Sequence, residues 1–167
     1  MKPIPLLATA LAALLFAGGT APAAAPAQKS SIVRPAPAIP LQGGKTVRSL
    51  RGQPVVVVVA PSPRDRLFRK QVKRWEADYA ELAARSAVFV AVFTQGDGAE
   101  LRSSIPFAVA QDGPAVAAAL GLADSRFGVA VIGQDGNVDL LTRKLAPSYK
   151  VRDTILNNYA LQSAERR

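Results

Sequence analysis

The chain contains no cysteine and no histidine. Without a thiol there is no thiolate nucleophile, no disulfide and no thiolate zinc site, because each needs ionised sulfur. Without imidazole there is no histidine-ligated metal, and neither a Ser-His-Asp nor a Cys-His arrangement can be built. Any general acid or base has to come from a carboxylate, a lysine, a tyrosine or a bound cofactor. Aromatic residues are scarce as well, at 6% of the chain with a single Trp. With no cross-link of any kind, the fold is held by its core alone.

What is present describes a globular protein. The length of 167 residues accommodates one domain with some chain to spare. Apolar residues make up 49% and charged residues 20%, which is not the composition of a disordered chain. There are 21 Lys and Arg against 12 Asp and Glu, a formal net charge of +9. A balance this basic favours nucleic acid, anionic lipid or phosphorylated ligands, and it also serves solubility.

The start of the chain reads as a targeting segment. Lys2 precedes an apolar run from Ile4 to Ala17. At about 14 residues the run is too short to cross a bilayer comfortably but suits the core of a signal peptide. Ala21-Pro22-Ala23 fits the small-x-small cleavage pattern, which assigns residues 1–23 to the signal peptide and starts the mature chain near Ala24. Cleavage after Ala25 would leave Pro26 at the cut. No later stretch reaches transmembrane length and no cysteine offers a lipid anchor. The expected product is soluble and exported, to the periplasm or the exterior.

Residues 24–40 are rich in Ala and Pro, with Pro26, Pro35, Pro37 and Pro40, and read as a flexible leader. The domain is expected over 41–161, with a polar tail over 162–167. Its first strong element is the run Val55 to Val59, apolar on both faces and so expected in the middle of a covered sheet. A helix follows, with Ser62 as its cap, Pro63 in the first position and Asp65 closing a capping box. Its apolar stripe is Phe68, Val72, Trp75, Tyr79 and Leu82. A second buried strand spans Ala87 to Phe93, and Phe107 to Val109 can add a short one. Asp112-Gly113-Pro114 opens an Ala-rich helix that stops at Gly121. Two strands, Gly128 to Ile132 and Asn137 to Leu141, are joined by Gly133-Gln134-Asp135-Gly136, the strongest hairpin signal in the chain. The last helix is expected from about Ser148 to Tyr159.

The order strand, long helix, strand, helix, hairpin, helix resembles the thioredoxin superfamily, and local segments resemble its redoxin and peroxiredoxin branch. Ser49 to Val55 is similar to the approach to their first central strand, and Pro61 stands where their active-site loop leaves it. Gly113 to Leu122 resembles their helix ending in a Leu-Gly-apolar turn. Phe127 to Val138 resembles their closing hairpin with its Asp-Gly turn. The resemblance covers Ser49 to Tyr159 and extends to small exported bacterial proteins of this layout. It implies an α/β three-layer sandwich around a central mixed sheet of four to five strands.

The same resemblance places the reactive cysteines of a thioredoxin near Pro63 and Arg66. It puts the peroxidatic cysteine of a peroxiredoxin near Phe68, preceded by a Thr near Arg64 or Asp65. Gly128 stands in place of the guiding cis-proline. None of these residues can replace a thiolate, so thiol-disulfide exchange and thiol peroxidase chemistry are excluded.

In place of sulfur the helix start carries charge. Arg64, Arg66, Arg69, Lys70 and Lys73, with Arg74 beyond them, crowd an end whose macrodipole and free N–H groups favour anions. They form the candidate site for an acidic ligand or an envelope protein. The same residues also fit a solvated face that offsets Glu76, Asp78 and Glu81. Aromatic residues are not interleaved with the charges, which argues against a single-strand nucleic-acid platform. Asp135, Asn137 and Asp139 follow calcium-loop spacing, but Leu140 stands where the loop needs glycine and no Glu closes it. Ser62, Ser103 and Ser104 have no base at hand, and no metal or cofactor is expected. The leading expectation is an exported, non-catalytic binding module. The alternative is an enzyme acting on an anionic substrate through Arg and carboxylates.

Overall fold

A computed structural model of the chain describes residues 34–50 and 52–165. The signal segment expected over 1–23, and the leader as far as residue 33, lie outside the described residues.

The valine run forms β1 (Val55–Ala60), in which every residue is buried. It is the middle strand of the sheet. On one side it pairs in parallel with β2 (Val88–Phe93), and on the other antiparallel with β4 (Gly128–Ile132). Outside these lie β3 (Phe107–Val109), parallel to β2, and β5 (Val138–Thr142), antiparallel to β4. The order is β3-β2-β1-β4-β5, a five-stranded mixed sheet with helices on both faces. This is the thioredoxin-like α/β sandwich that the element order implies.

Strand alternation divides the core into two layers. Val56, Val58 and Ala60 face α1 (Arg66–Glu76), α2 (Tyr79–Ala83) and α4 (Ser148–Glu165). Val55, Val57 and Val59 face α3 (Gly113–Ala119) together with Ile39, Leu41 and Val47. The hairpin turns where expected. Gly136 N donates to Gly133 O, and Asp135 accepts from Asn137 N, with Gly136 in the left-handed region at φ 84°.

Several expectations are corrected in detail. The long helix is two helices, because the chain turns at Ala77 and Asp78. The apolar stripe survives the break: Phe68, Val72, Trp75 and Leu82 are buried and Tyr79 packs against them. The cap of α1 is Asp65, not Ser62, so the helix starts at Arg66. The last helix continues past Tyr159 to Glu165, through part of the expected tail.

The domain also begins before Leu41. Residues 34–40, which composition assigns to the leader, run beside the hairpin and tie to it through Val138 N to Arg34 O and Ala36 N to Gly136 O. Ile39 is fully buried, and Arg34 Nη2 donates to Ala119 O at 2.9 Å. The segment is ordered by the carbonyls and apolar surface it covers rather than by any propensity of its own.

One polar residue sits deep in the α1 layer. Gln71 is fully buried, and its amide matches the backbone of Ala146. Gln71 Nε2 donates to Ala146 O at 2.7 Å, and Ala146 N donates to Gln71 Oε1 at 2.7 Å. Trp75 Nε1 adds a second donor to Ala146 O at 3.1 Å. This clamp fixes α1 against the connection between β5 and α4.

Candidate functional site

The pairing of Val59 with Gly128 and of Val129 with Thr142 brings three chain segments to one end of the sheet. They are the exit of β1, the entry to β4 and the exit of β5. The segment after β2 joins them through Thr94 N to Ala60 O and Gln95 N to Pro61 O. The first turn of α1 rises from the middle of this end.

That turn is capped from within. Asp65 Oδ1 accepts from Leu67 N at 2.7 Å and from Phe68 N at 3.2 Å. Its other oxygen, Oδ2, accepts from both Nε and Nη2 of Arg126 at 3.2 Å. The Asp65 side chain is 2% exposed while that of Arg126 is 77% exposed, so the guanidinium closes the carboxylate off from solvent. A carboxylate at an N-cap satisfies orphan amide donors and complements the macrodipole.

This geometry revises the reason for suspecting an anion site. Of the N–H groups at the start of α1 that would receive an external anion, those of Leu67 and Phe68 already bond to the Asp65 side chain. Arg64, the first of the candidates, is engaged as well, pairing with Glu100 at 2.7 Å. Both side chains of that pair are more than half exposed, so the pair contributes little to stability.

The remaining candidates share a surface. Arg66, Arg69, Lys70 and Lys73 recur at helical spacing on the outer face of α1, with Arg74 beside them, and all are exposed. Among the described residues none of them makes an ion pair or a side-chain hydrogen bond. From Arg66 to Lys73 the array extends about 10 Å along the helix. Arg152 stands apart from the array. Its pKa is raised first by its side-chain hydrogen bond to Asp153 and then by the charge of Glu81, so it is a paired cation.

The positions that the resemblance assigns to sulfur hold other groups. Pro63 is half-buried in the loop, Arg66 is exposed, and Phe68 is buried with its ring 5.1 Å from that of Phe93. At Gly128 an added Cβ would meet Leu122 Cδ1 at 2.5 Å, so the close approach of that side chain suits glycine there.

The serines are in structural roles. Ser104 Oγ donates to Glu76 and Ser103 Oγ accepts from Ile105 N. Asp135 is used by its own turn, and no group of three His, Cys, Asp or Glu suited to a metal occurs among the described residues. A cavity of about 400 Å³ lies near the opposite end of the sheet, lined by Pro35, Pro37, Leu50, Gln53, Ile132 and Asn137. It contains none of the basic candidates.

Sequence reasoning placed Asp65 in a capping box but gave the cap itself to Ser62, and it missed Gln71 and Arg126. Gln71 carried a signal, as a polar residue on the apolar stripe that begins at Phe68. Arg126 carried none, because its partner lies 61 residues away.

The fold recurs in solved structures. A protein of Chlorobium tepidum assigned as the thiol:disulfide interchange protein DsbE superposes with a TM-score of 0.59 at 20% identity, over 75% of this chain and 96% of its own. The MTB dsbF protein, seen in mixed oxidised and reduced forms, gives 0.56 at 16% identity, over 74% and 95%. The bacterioferritin comigratory protein of Xanthomonas campestris, which has alkyl peroxide reduction activity, gives 0.55 at 16% identity, over 74% and 90%. Likeness at this level of identity is a likeness of fold. No curated protein matches the chain. A family model does match, over residues 52–155, and the chain belongs to that family, the domain of unknown function DUF4174.

Proposed function

We propose that this protein is an exported, non-catalytic binding module. On this reading its thioredoxin-like scaffold presents the outer face of α1 to an acidic partner. The observation that carries the proposal is the array Arg66, Arg69, Lys70, Lys73 and Arg74, exposed and without partners among the described residues. Like charges held this close repel one another, and a bound polyanion relieves that repulsion. Export rests on the targeting pattern of the first 23 residues. No helix among the described residues is long and apolar enough to cross a membrane.

The same geometry weighs against an enzyme working through Arg and carboxylates. Asp65 is spent on the helix cap and closed off by Arg126, and Glu100 is paired with Arg64, so the two carboxylates near the helix start serve structural contacts. The test is retention of the full chain on immobilised polyglutamate. Lys73→Glu should elute at clearly lower salt than wild type. Lys45→Glu, the same charge change at an exposed turn residue off the array, should shift elution much less. Equal shifts would mean that only net charge is sensed, and the reading would fail.

A further inference from the structure

Resting on that reading, we infer that the partner of the α1 face is an anionic lipid surface, to which the protein adsorbs by charge without insertion.

Three observations select this kind of partner. The first concerns small anions. The Leu67 and Phe68 amide donors at the start of α1 are filled by Asp65, Arg126 is held on that carboxylate, and the cavity lies near the other end of the sheet. A small phosphorylated ligand would therefore find cations but no cradle. The second concerns proteins. Stable protein interfaces centre on buried aromatic or aliphatic anchors ringed by polar groups. Among the described residues the exposed large apolar side chains are Leu141 and Tyr149, and neither belongs to α1. The face has the charge of an interface rim and no core. The third concerns shape. The outer side of a single helix is a ridge, and its cations follow one line about 10 Å long, comparable to the Debye length at moderate salt. A flat, multiply charged surface can meet all of them together without shape complementarity.

The absence of apolar anchors on α1 also sets the mode of binding. Amphipathic membrane helices bury an apolar face in the lipid, whereas here Phe68, Val72 and Trp75 are committed to the protein core. Adsorption is then electrostatic, with each Lys or Arg near an anionic leaflet contributing about fivefold to partitioning.

The experiment is co-sedimentation of the full chain with vesicles of phosphatidylcholine alone or with added phosphatidylglycerol. The protein should sediment with the phosphatidylglycerol vesicles only, and release as salt is raised. Lys70→Gln with Lys73→Gln should weaken partitioning by about 25-fold at two cations of about fivefold each. Lys45→Gln should leave it within about twofold, because a cation off the array is not held near the leaflet. Thermal melts of the variants should match wild type, since all three side chains are exposed. If the chain stays soluble with anionic vesicles yet is retained on polyglutamate through Lys73, the lipid inference is overturned and the acidic-partner reading stands. Equal binding to neutral vesicles, or binding unaffected by the double substitution, also overturns it. Failure on both matrices removes the reading on which it rests.

Discussion

The Gln71 clamp allows a sharp test of how α1 is held. In Gln71→Leu the new side chain is apolar and of similar size, and the perturbation reduces to the backbone of Ala146. Its carbonyl keeps the donor Trp75 Nε1, but its N–H loses Gln71 Oε1, the partner it has in a fully buried setting. A buried donor left without an acceptor costs about 1–3 kcal/mol, which the added apolar burial offsets only in part. For a chain of this size each kcal/mol lowers Tm by about 2–4 °C, so with that offset the expected fall is about 2–10 °C. Trp75, the single tryptophan, is fully buried in the same clamp, and its emission reports unfolding directly. Gln71→Glu adds a pH signature. Protonated, the carboxyl can still donate to Ala146 O and accept from Ala146 N. Ionised, it is a buried charge facing a carbonyl, so its folded-state pKa is raised above the unfolded value of about 4.3. Stability is then fully present below that value and is lost as pH rises towards the folded pKa. Coincident melts for Gln71→Leu and wild type, or a Gln71→Glu variant indifferent to pH, would refute the clamp.

Two further outcomes follow from the site and the fold. Asp65→Ala should cost about 1–2 kcal/mol through loss of the cap. It also frees the amides of Leu67 and Phe68, so sulfate should raise the Tm of this variant more than that of wild type; equal shifts in a melt series would show that Asp65 does not occupy the anion position. At Gly113 an added Cβ would stand 1.7 Å from Phe93 O, a backbone atom that cannot yield locally, whereas at Gly128 the obstacle is the side chain of Leu122. Gly113→Ala should therefore lose more stability than Gly128→Ala in denaturant unfolding, and the reverse order would contradict this account of the β2–α3 contact.

Much of the architecture was legible because it depends on local pattern. A run of β-branched residues apolar on both faces has one comfortable place in an α/β sheet, and Val55 to Val59 takes it. The Asp-Gly turn fixed the hairpin through backbone geometry that few other residues accept. What escaped local reading was decided by distant partners. Ser62 and Asp65 are comparable caps by type, and the choice between them turns on Arg126, which reaches Asp65 from the entry to β4. Residues 34–40 read as a leader because their composition is that of one. They are ordered by what lies beneath them, the carbonyls at the end of α3 and the rim of the hairpin.

The Asp65–Arg126 pair changes what the basic residues of α1 can mean. In this sheet and helix arrangement the start of α1 is where unsatisfied amides and the macrodipole would draw in a negative group. Here the chain supplies that group itself and covers it with a guanidinium, so the helix end offers no cradle to an outside anion. The cations on the flank gain nothing from the helix terminus in binding a ligand and act as a surface array instead. Arg64, beside the terminus, is tied to Glu100, while Arg66 through Arg74, farther along the flank, are left unpaired among the described residues. Binding through such an array depends on how many charges a partner presents along about 10 Å, not on the shape of a single group. That is why extended anionic surfaces, and not small anions, are the partners the geometry favours.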